Sequence, residues 1–275
     1  MFDYNSIVST VFITASFERI SKDEVKVLFP DGSFSNVILL EDGTFSSDNE
    51  EALNQYKLWM SRPERKVGQL VNIEGKTLDQ LMSMYEQLLI GAYLLRFPDT
   101  DVCSDAPYAK MIDWLRSTDF YRAPASTVYH ESVVGGLVIH SLKVYNEAVL
   151  INRLPKFRKV PLSSIAIVSL THDWCKINTY ESYKRNVKNE ETGQWEQIDS
   201  FKRNLTGLTL GHGVTSMFYA LKYMNLSEEE CAAIRFHMGH WNICDPEINE
   251  LQKCNESYPL VHLLQFADQL SIVSY

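Results

Sequence analysis

Six ionisable side chains that lie on or beside apolar, helix-like segments constrain the fold of this chain more than any other feature. The apolar segment SSIAIVSL, residues 163–170, is followed almost at once by His172 and Asp173. The other four are His140, His212, His237 and Asp268. A buried imidazole or carboxylate without a partner is costly. The sequence therefore predicts that these helices converge on a shared partner, and a divalent metal ion, or two, can supply it.

Helical periodicity places these residues on apolar faces. His140 has Leu137 and Val144 as its i−3 and i+4 neighbours, and Asp268 follows Leu264 by four positions. Each residue taken alone has an ordinary explanation, such as a core histidine bound to a carbonyl or a polar residue in a loop. We prefer the metal because the ordinary explanation needs six unrelated accidents.

Composition excludes several classes of protein. The 275 residues are 45% hydrophobic and 22% charged, which suits one large domain, or a main domain with a small appendage. The net charge of −9 disfavours a general nucleic-acid binder. The N-terminus lacks the basic start of a signal peptide, and no apolar run is long enough for a membrane span. Five scattered cysteines without a CxxC pair favour reduced thiols, so we expect a cytoplasmic protein.

The chain is predicted to be mainly α, with a small β/α segment over residues 1–75 and a helical domain over 76–275. Short strands and two Asp-Gly turns fill the first 45 residues, and a β-hairpin is inserted at about 183–198. Capping boxes begin two of the helices, at Thr77 and Ser227. The predicted helices are 48–60, 77–97, 107–118, 135–151, 162–173, 213–224, 228–238 and 258–272.

The motifs HESVVGGLVIHSLKV, LTHDWCK, LGHGVTS, IRFHMG and LLQFADQL resemble, in this order, the HD-domain metal-dependent phosphohydrolases. The resemblance covers roughly residues 120–275. It extends to an uncharacterised branch found in bacteria and phages, which carries the hairpin insert and the GHG and HMG motifs. It implies a helical bundle that cleaves phosphate esters, often in nucleotides.

The resemblance implies the metal ligands His140, His172, Asp173, His212, His237 and Asp268. Asp173 would bridge two ions, and the mixed imidazole and carboxylate ligands suit Mn, Fe, Co, Ni or Zn. We expect one or two ions and prefer two; with a single ion, His212 and His237 would serve as proton donors or phosphate contacts. His240 competes with His237 as the ligand, and we prefer His237 because it continues the helical period before Gly239.

Asp173 and Lys176 are the predicted catalytic residues. Many members of the family read HD-x-G-K, whereas this chain has Cys175 in the glycine position and retains Lys176. Lys176 is the first candidate to bind the substrate phosphate, with Arg185 in the hairpin and Arg235 as weaker candidates.

The function expected from these residues is hydrolysis of a phosphate ester by a metal-bound hydroxide, on a small phosphorylated substrate such as a nucleotide. The first alternative is a single-strand nuclease, for which the hairpin and the basic run RLPKFRK at 153–159 are the only support. The second is a non-catalytic, metal-stabilised interaction module. We expect no membrane partner, and nucleic acid is the less favoured substrate.

Overall fold

A computed structural model describes residues 15–98, 100, 106–157, 159–204, 208, 210–241 and 243–273. The chain divides into two compact units between Lys66 and Val67, whereas the sequence analysis put the boundary after residue 75. The difference has a local cause, because the backbone N–H of Gly68 donates to the Tyr145 hydroxyl at 2.8 Å. The N–H of Val71 likewise donates to Asn146 Oδ1 at 2.9 Å, so this segment belongs to the helical unit.

The first unit is a small antiparallel sheet with one helix packed on it. Its strands pair in chain order: β1 Ser16–Arg19, β2 Glu24–Leu28, β3 Phe34–Leu39 and β4 Phe45–Ser46. The predicted Asp-Gly turns are present, with positive φ at Gly32 and Gly43. Helix α1, Glu50–Ser61, covers the sheet. Residues 9–14 of the predicted first strand lie outside the described residues.

The second unit is mainly α, as predicted. Its helices are α2 Leu78–Arg96, α3 Pro107–Ser117, α4 Gly136–Ile151, α5 Leu162–Thr171, α6 His212–Leu221, α7 Glu228–Phe236, α8 Asp245–Ser257 and α9 Pro259–Ser271. Helix α5 is central, because its residues from Ser164 to Thr171 are all buried and it packs against α2 and α4. Helix α9 packs against α4 and α7 and completes the wall around the end of α5.

Both predicted capping boxes are confirmed. Thr77 Oγ1 accepts from the N–H of Gln80 at 3.3 Å, and Gln80 Oε1 accepts from the N–H of Thr77 at 3.0 Å. Ser227 and Glu230 make the same pair of bonds at the start of α7, at 3.2 and 2.7 Å. These caps fix the residues at which α2 and α7 begin. A fixed start of α7 also determines how far its C-terminal end reaches into the core.

Helix α8 was not predicted from the sequence. Its segment, DPEINELQKCNES, buries only Leu251, so it carries almost no apolar period. Its start is nevertheless well determined, because Glu247 accepts from the backbone N–H of Cys244 at 2.9 Å.

The inserted hairpin is present and longer than predicted. It comprises β5 Tyr180–Lys188 and β6 Trp195–Arg203, and Gly193 takes a positive φ in the turn. Most of its side chains are exposed. Over the described ranges, no helix is both long and apolar enough to cross a membrane.

Candidate metal centre

The end of α5 places His172 and Asp173 in the core. His172 is the C-cap of the helix, and Asp173 leads into a 3₁₀ turn over Trp174–Lys176. The buried Trp174 ring anchors that turn, because its Nε1 donates to the Tyr85 hydroxyl at 2.9 Å. Tyr85 in turn donates to the carbonyl of Leu170 at 2.5 Å. Tyr85 therefore links Leu170, just before the His-Asp pair, to Trp174, just after it, and so fixes the end of α5.

Two of the histidines are oriented by the same local device. His172 Nδ1 lies 2.8 Å from the carbonyl oxygen of Ser169, and His237 Nδ1 lies 2.7 Å from that of Ile234. Each histidine follows the last residue of its helix, α5 or α7, and reaches a carbonyl three residues back. A carbonyl can only accept, so each Nδ1 carries the proton. In the neutral ring, the lone pair of Nε2 then points into the cluster.

His140 joins the cluster from α4 and Asp268 from α9. His140 Nε2 lies 3.1 Å from Asp268 Oδ1, 3.3 Å from Asp173 Oδ2 and 3.2 Å from His172 Nε2. Behind the ring, His140 Nδ1 lies 3.4 Å from Ser271 Oγ, whose own hydrogen is donated to the Asp268 carbonyl at 2.7 Å. Ser271 Oγ therefore accepts from His140, which again directs Nε2 inward.

The two carboxylate oxygens of Asp173 face different histidines. Oδ1 lies 2.8 Å from His212 Nε2 and 3.7 Å from His237 Nε2. Oδ2 faces His140 and His172, at 3.3 and 3.5 Å. The His237 ring lies between the two groups, 4.9 Å from the His172 ring and 5.2 Å from the His212 ring. Asp173 is thus the residue that connects the whole cluster.

Close backbone packing positions His212 at the start of α6. A Cβ at Gly213 would lie 2.1 Å from the carbonyl oxygen of Arg235. Only glycine allows α6 to approach α7 this closely, so the GHG motif brings His212 towards His237. A comparable constraint acts at Gly136, where a Cβ would lie 1.9 Å from the carbonyl oxygen of Glu131. That contact holds the 125–131 loop against the start of α4.

Without a metal, protons and one lysine balance the negative charge of the cluster. Burial opposes the ionisation of Asp173, but Lys176, 2.6 Å away, and the adjacent histidines hold its pKa well below the usual range. Burial likewise lowers the pKa of His140, yet hydrogen bonds to Asp173 and Asp268 outweigh it and raise the pKa to about 9. Burial lowers the pKa of Lys176 too, and Asp173 reverses this, so Lys176 stays charged.

The donor atoms fit a divalent metal ion. The buried Nε2 of His237 has no hydrogen-bond partner among the described residues, which is the state expected of an atom reserved for a ligand. Four groups of potential ligand atoms lie within 4.8 Å of one another in the described residues: His130, Glu131 and His140; His140, His172 and Asp173; His172, His237 and Asp268; and Asp173, Cys175 and His212. Burial raises the pKa of the Cys175 thiol to about 12, so without a metal this thiol is neutral.

The cluster forms the base of a cavity of about 710 Å³. Lys176 lines it, and so do Tyr180 and Arg203, which pair with each other at the base of the hairpin. The 125–131 loop contributes His130, whose ring lies 4.9 Å from that of His140 and whose Nε2 is buried without a partner among the described residues.

The structure brings all six predicted ligands together, with Lys176 beside them. It also separates His237 from His240, since His237 is buried in the cluster and His240 is exposed. The predicted phosphate contacts are different. Arg235 lies outside the cavity and pairs with Glu247 and Glu250 at 3.2 and 2.8 Å.

Arg185 also lies outside the cavity lining. Side chains alternate along a strand, so Arg185 is on the opposite face of β5 from Tyr180. Arg203, on the second strand of the hairpin, lines the cavity instead, and no ion-pair partner faces it in the part of the chain that the structure describes. The sequence analysis did not select Arg203, because its place on the cavity face depends on the pairing register of the hairpin.

No family model, curated protein or solved structure matches this chain. The structure itself shows a mainly helical unit with a buried His/Asp cluster whose geometry is compatible with a metal site.

Proposed function

We propose that this chain is a metal-dependent phosphohydrolase of the HD-domain type. Two features support the proposal: the order His, His-Asp, His, His, Asp along the sequence, and the meeting of those residues at one point of a helical bundle. Bundles commonly build metal sites in this way, from side chains on facing helices.

The observation that carries the proposal is that His237 Nε2, at the base of an open cavity, has no hydrogen-bond partner within the described ranges. Its Nδ1 donates to the carbonyl of Ile234, so in the neutral ring Nε2 presents a lone pair 3.7 Å from Asp173 Oδ1. A lone pair and an anionic oxygen repel one another unless a cation lies between them. A histidine that served packing alone would point its Nε2 at a donor instead.

We assign one ion to His140, His172 and Asp268, and a second to His212 and His237. Asp173 contacts both sets through its two oxygens. When bound, divalent ions supply positive charge that polarises a phosphoryl oxygen and acidifies water. Two ions are preferred because His212 Nε2 and His237 Nε2 both face Asp173 Oδ1, at 2.8 and 3.7 Å, and form a second set of donors around that oxygen.

The chain's own cations complete the site. Lys176 lines the cavity with its Nζ 2.6 Å from Asp173 Oδ2, and Arg203 lines the same cavity from the hairpin. Both can hold phosphoryl oxygens, Lys176 as a point charge and Arg203 as a planar fork. Tyr180 lies beside Arg203 and can donate a further hydrogen bond.

The size of the cavity favours a small substrate. About 710 Å³ is within the range of sites for small molecules and cofactors. Of the basic run at 153–159, which supported a nuclease, none of the described residues lines the cavity. We therefore propose a small phosphorylated metabolite, of nucleotide size, as the substrate.

A phosphate-release screen tests the proposed function. The purified chain is incubated with nucleotides and sugar phosphates, with Mn²⁺, Co²⁺, Ni²⁺, Zn²⁺ or Fe²⁺, and with a chelator as the control. We expect release that requires metal and is lost in a His140→Ala, His172→Ala double variant. Release that persists in chelator, or none from any phosphate ester with any of these metals, would contradict the proposal.

A further inference from the structure

The two most exposed large apolar side chains of the described residues both line the cavity of the metal centre. Tyr129 is 88% exposed and Trp241 is 76% exposed. They come from different parts of the chain, the loop before α4 and the turn after α7. Scattered exposed apolar residues need no explanation, but two large aromatic rings that line one cavity with an ionic base do.

A residue with positive φ lies close to each ring in the chain. Glu131, two residues after Tyr129, has a φ of 43°, a left-handed conformation that is unfavourable for a residue with a side chain. Its carbonyl accepts from the N–H of Ala125 at 3.1 Å, which closes the loop that carries Tyr129. Before Trp241, Gly239 has a φ of 60°, and the N–H of Trp241 donates to the carbonyl of Met238 at 3.2 Å.

We propose that Tyr129 and Trp241 form a stacking site for a flat aromatic ring, such as a nucleobase, on a ligand whose phosphoryl group lies at the metal centre. The inference rests on the proposed function, because it takes the cavity as the substrate site. Aromatic side chains stack on planar rings without reading their identity. The site therefore selects a phosphate ester that carries a planar ring over one that does not.

Chemistry along the cavity supports this ligand. Its inner lining is ionic, with Asp173 and Lys176, and its exposed lining includes Arg203 and the two aromatic rings. A molecule that matches both ends has a phosphoryl group at one end and an apolar plane at the other. The cavity volume suits one such molecule rather than a protein surface or a folded nucleic acid.

Binding of two phosphonates to the full, metal-loaded chain tests the inference without turnover. The first probe is adenosine with a 5′-phosphonate in place of its phosphate ester, and the second is methylphosphonate, which lacks a ring. Affinities are measured by titration calorimetry for the wild type and for Tyr129→Ala, Trp241→Ala and Tyr129→Phe. Trp195→Ala is the matched control, because Trp195 is 71% exposed on the hairpin but does not line the cavity.

We expect the wild type to bind the adenosine probe at least about tenfold more tightly than methylphosphonate. Tyr129→Ala and Trp241→Ala should each remove about fivefold or more of that preference and leave methylphosphonate binding unchanged. Tyr129→Phe and Trp195→Ala should preserve it, since both keep the two stacking rings.

The inference would be overturned if the wild type bound both probes equally or bound neither. It would also be overturned if Tyr129→Ala and Trp241→Ala weakened both probes equally, or if Trp195→Ala lost as much as Trp241→Ala. A change in the oligomeric state of Tyr129→Ala or Trp241→Ala with the ring preference intact would assign the rings to an interface and overturn it as well. Phosphate release is scored separately. Ring preference without release contradicts the proposed hydrolase, whereas release without ring preference contradicts only the stacking site.

Discussion

Asp173 contacts more of the candidate centre than any other residue, because its two oxygens face His140 and His172 on one side and His212 and His237 on the other. Asp173→Asn keeps the size of the side chain but replaces one of these oxygens with an NH₂ group that cannot bridge ions. We expect phosphate release to fall by at least about 100-fold, since even outer-shell partners of metal ligands are worth 10- to 100-fold. Circular dichroism should show a folded chain. Near-normal turnover with excess Mn²⁺ would remove Asp173 from the bridging role.

Lys176 is assigned to the substrate rather than to the metal. Lys176→Ala should lower kcat/KM by about tenfold or more, because a phosphoryl oxygen loses a fixed cation. Metal content, measured by elemental analysis, should stay at the wild-type level. Lys184→Ala is the matched control, because Lys184 is exposed on the hairpin and pairs with Asp199. If Lys176→Ala loses metal that the wild type and the control keep, Lys176 has a structural role.

At this scale the sequence identified the cluster but not all of its surroundings. His140 and Asp268 could be predicted because apolar neighbours at helical spacing placed them on buried faces. The contact of the His130 ring with the His140 ring depends on the loop that Gly136 holds against α4. A contact between a loop and a helix leaves no periodic signal in a sequence.

The hairpin shows why Arg203, rather than the predicted Arg185, lines the cavity. Its existence follows from a Thr-Gly turn between polar strands, but its register does not. The register pairs Tyr180 with Arg203 and Arg185 with Ile198, on opposite faces of the ribbon. Helix α8 was missed for a related reason: a helix that buries one residue is not visible as an apolar pattern.

The two faces of the hairpin give a matched pair of variants. Arg203→Gln should raise KM for a phosphorylated substrate by about tenfold, because a guanidinium that faces the cavity is lost. Arg185→Gln removes the same charge from the same ribbon and should leave KM within about twofold, as surface charges contribute little. Equal effects of the two substitutions in steady-state kinetics would mean that the hairpin acts only through its net charge.

For the whole molecule, the first testable point is where the helical unit begins. A fragment of residues 67–275 retains three bonds: from the Gly68 N–H to the Tyr145 hydroxyl, from that hydroxyl to the Gln69 carbonyl, and from the Val71 N–H to Asn146 Oδ1. A fragment of residues 76–275 loses them. At about 1 kcal/mol for each lost bond, we expect a melting temperature several degrees lower for the shorter fragment. Equal melting temperatures would place the boundary after residue 75.

The central claim is that the buried His/Asp cluster binds divalent metal through two sets of ligands that share Asp173. Elemental analysis of the full chain after equilibration with Mn²⁺ tests it most directly, with the His212→Ala, His237→Ala double variant and a His240→Ala control. We predict about two ions per chain in the wild type and the control, and about one in the double variant. A wild type that binds no metal would contradict the claim itself. A single ion in both the wild type and the double variant would contradict the two-ion arrangement and return His212 and His237 to the substrate.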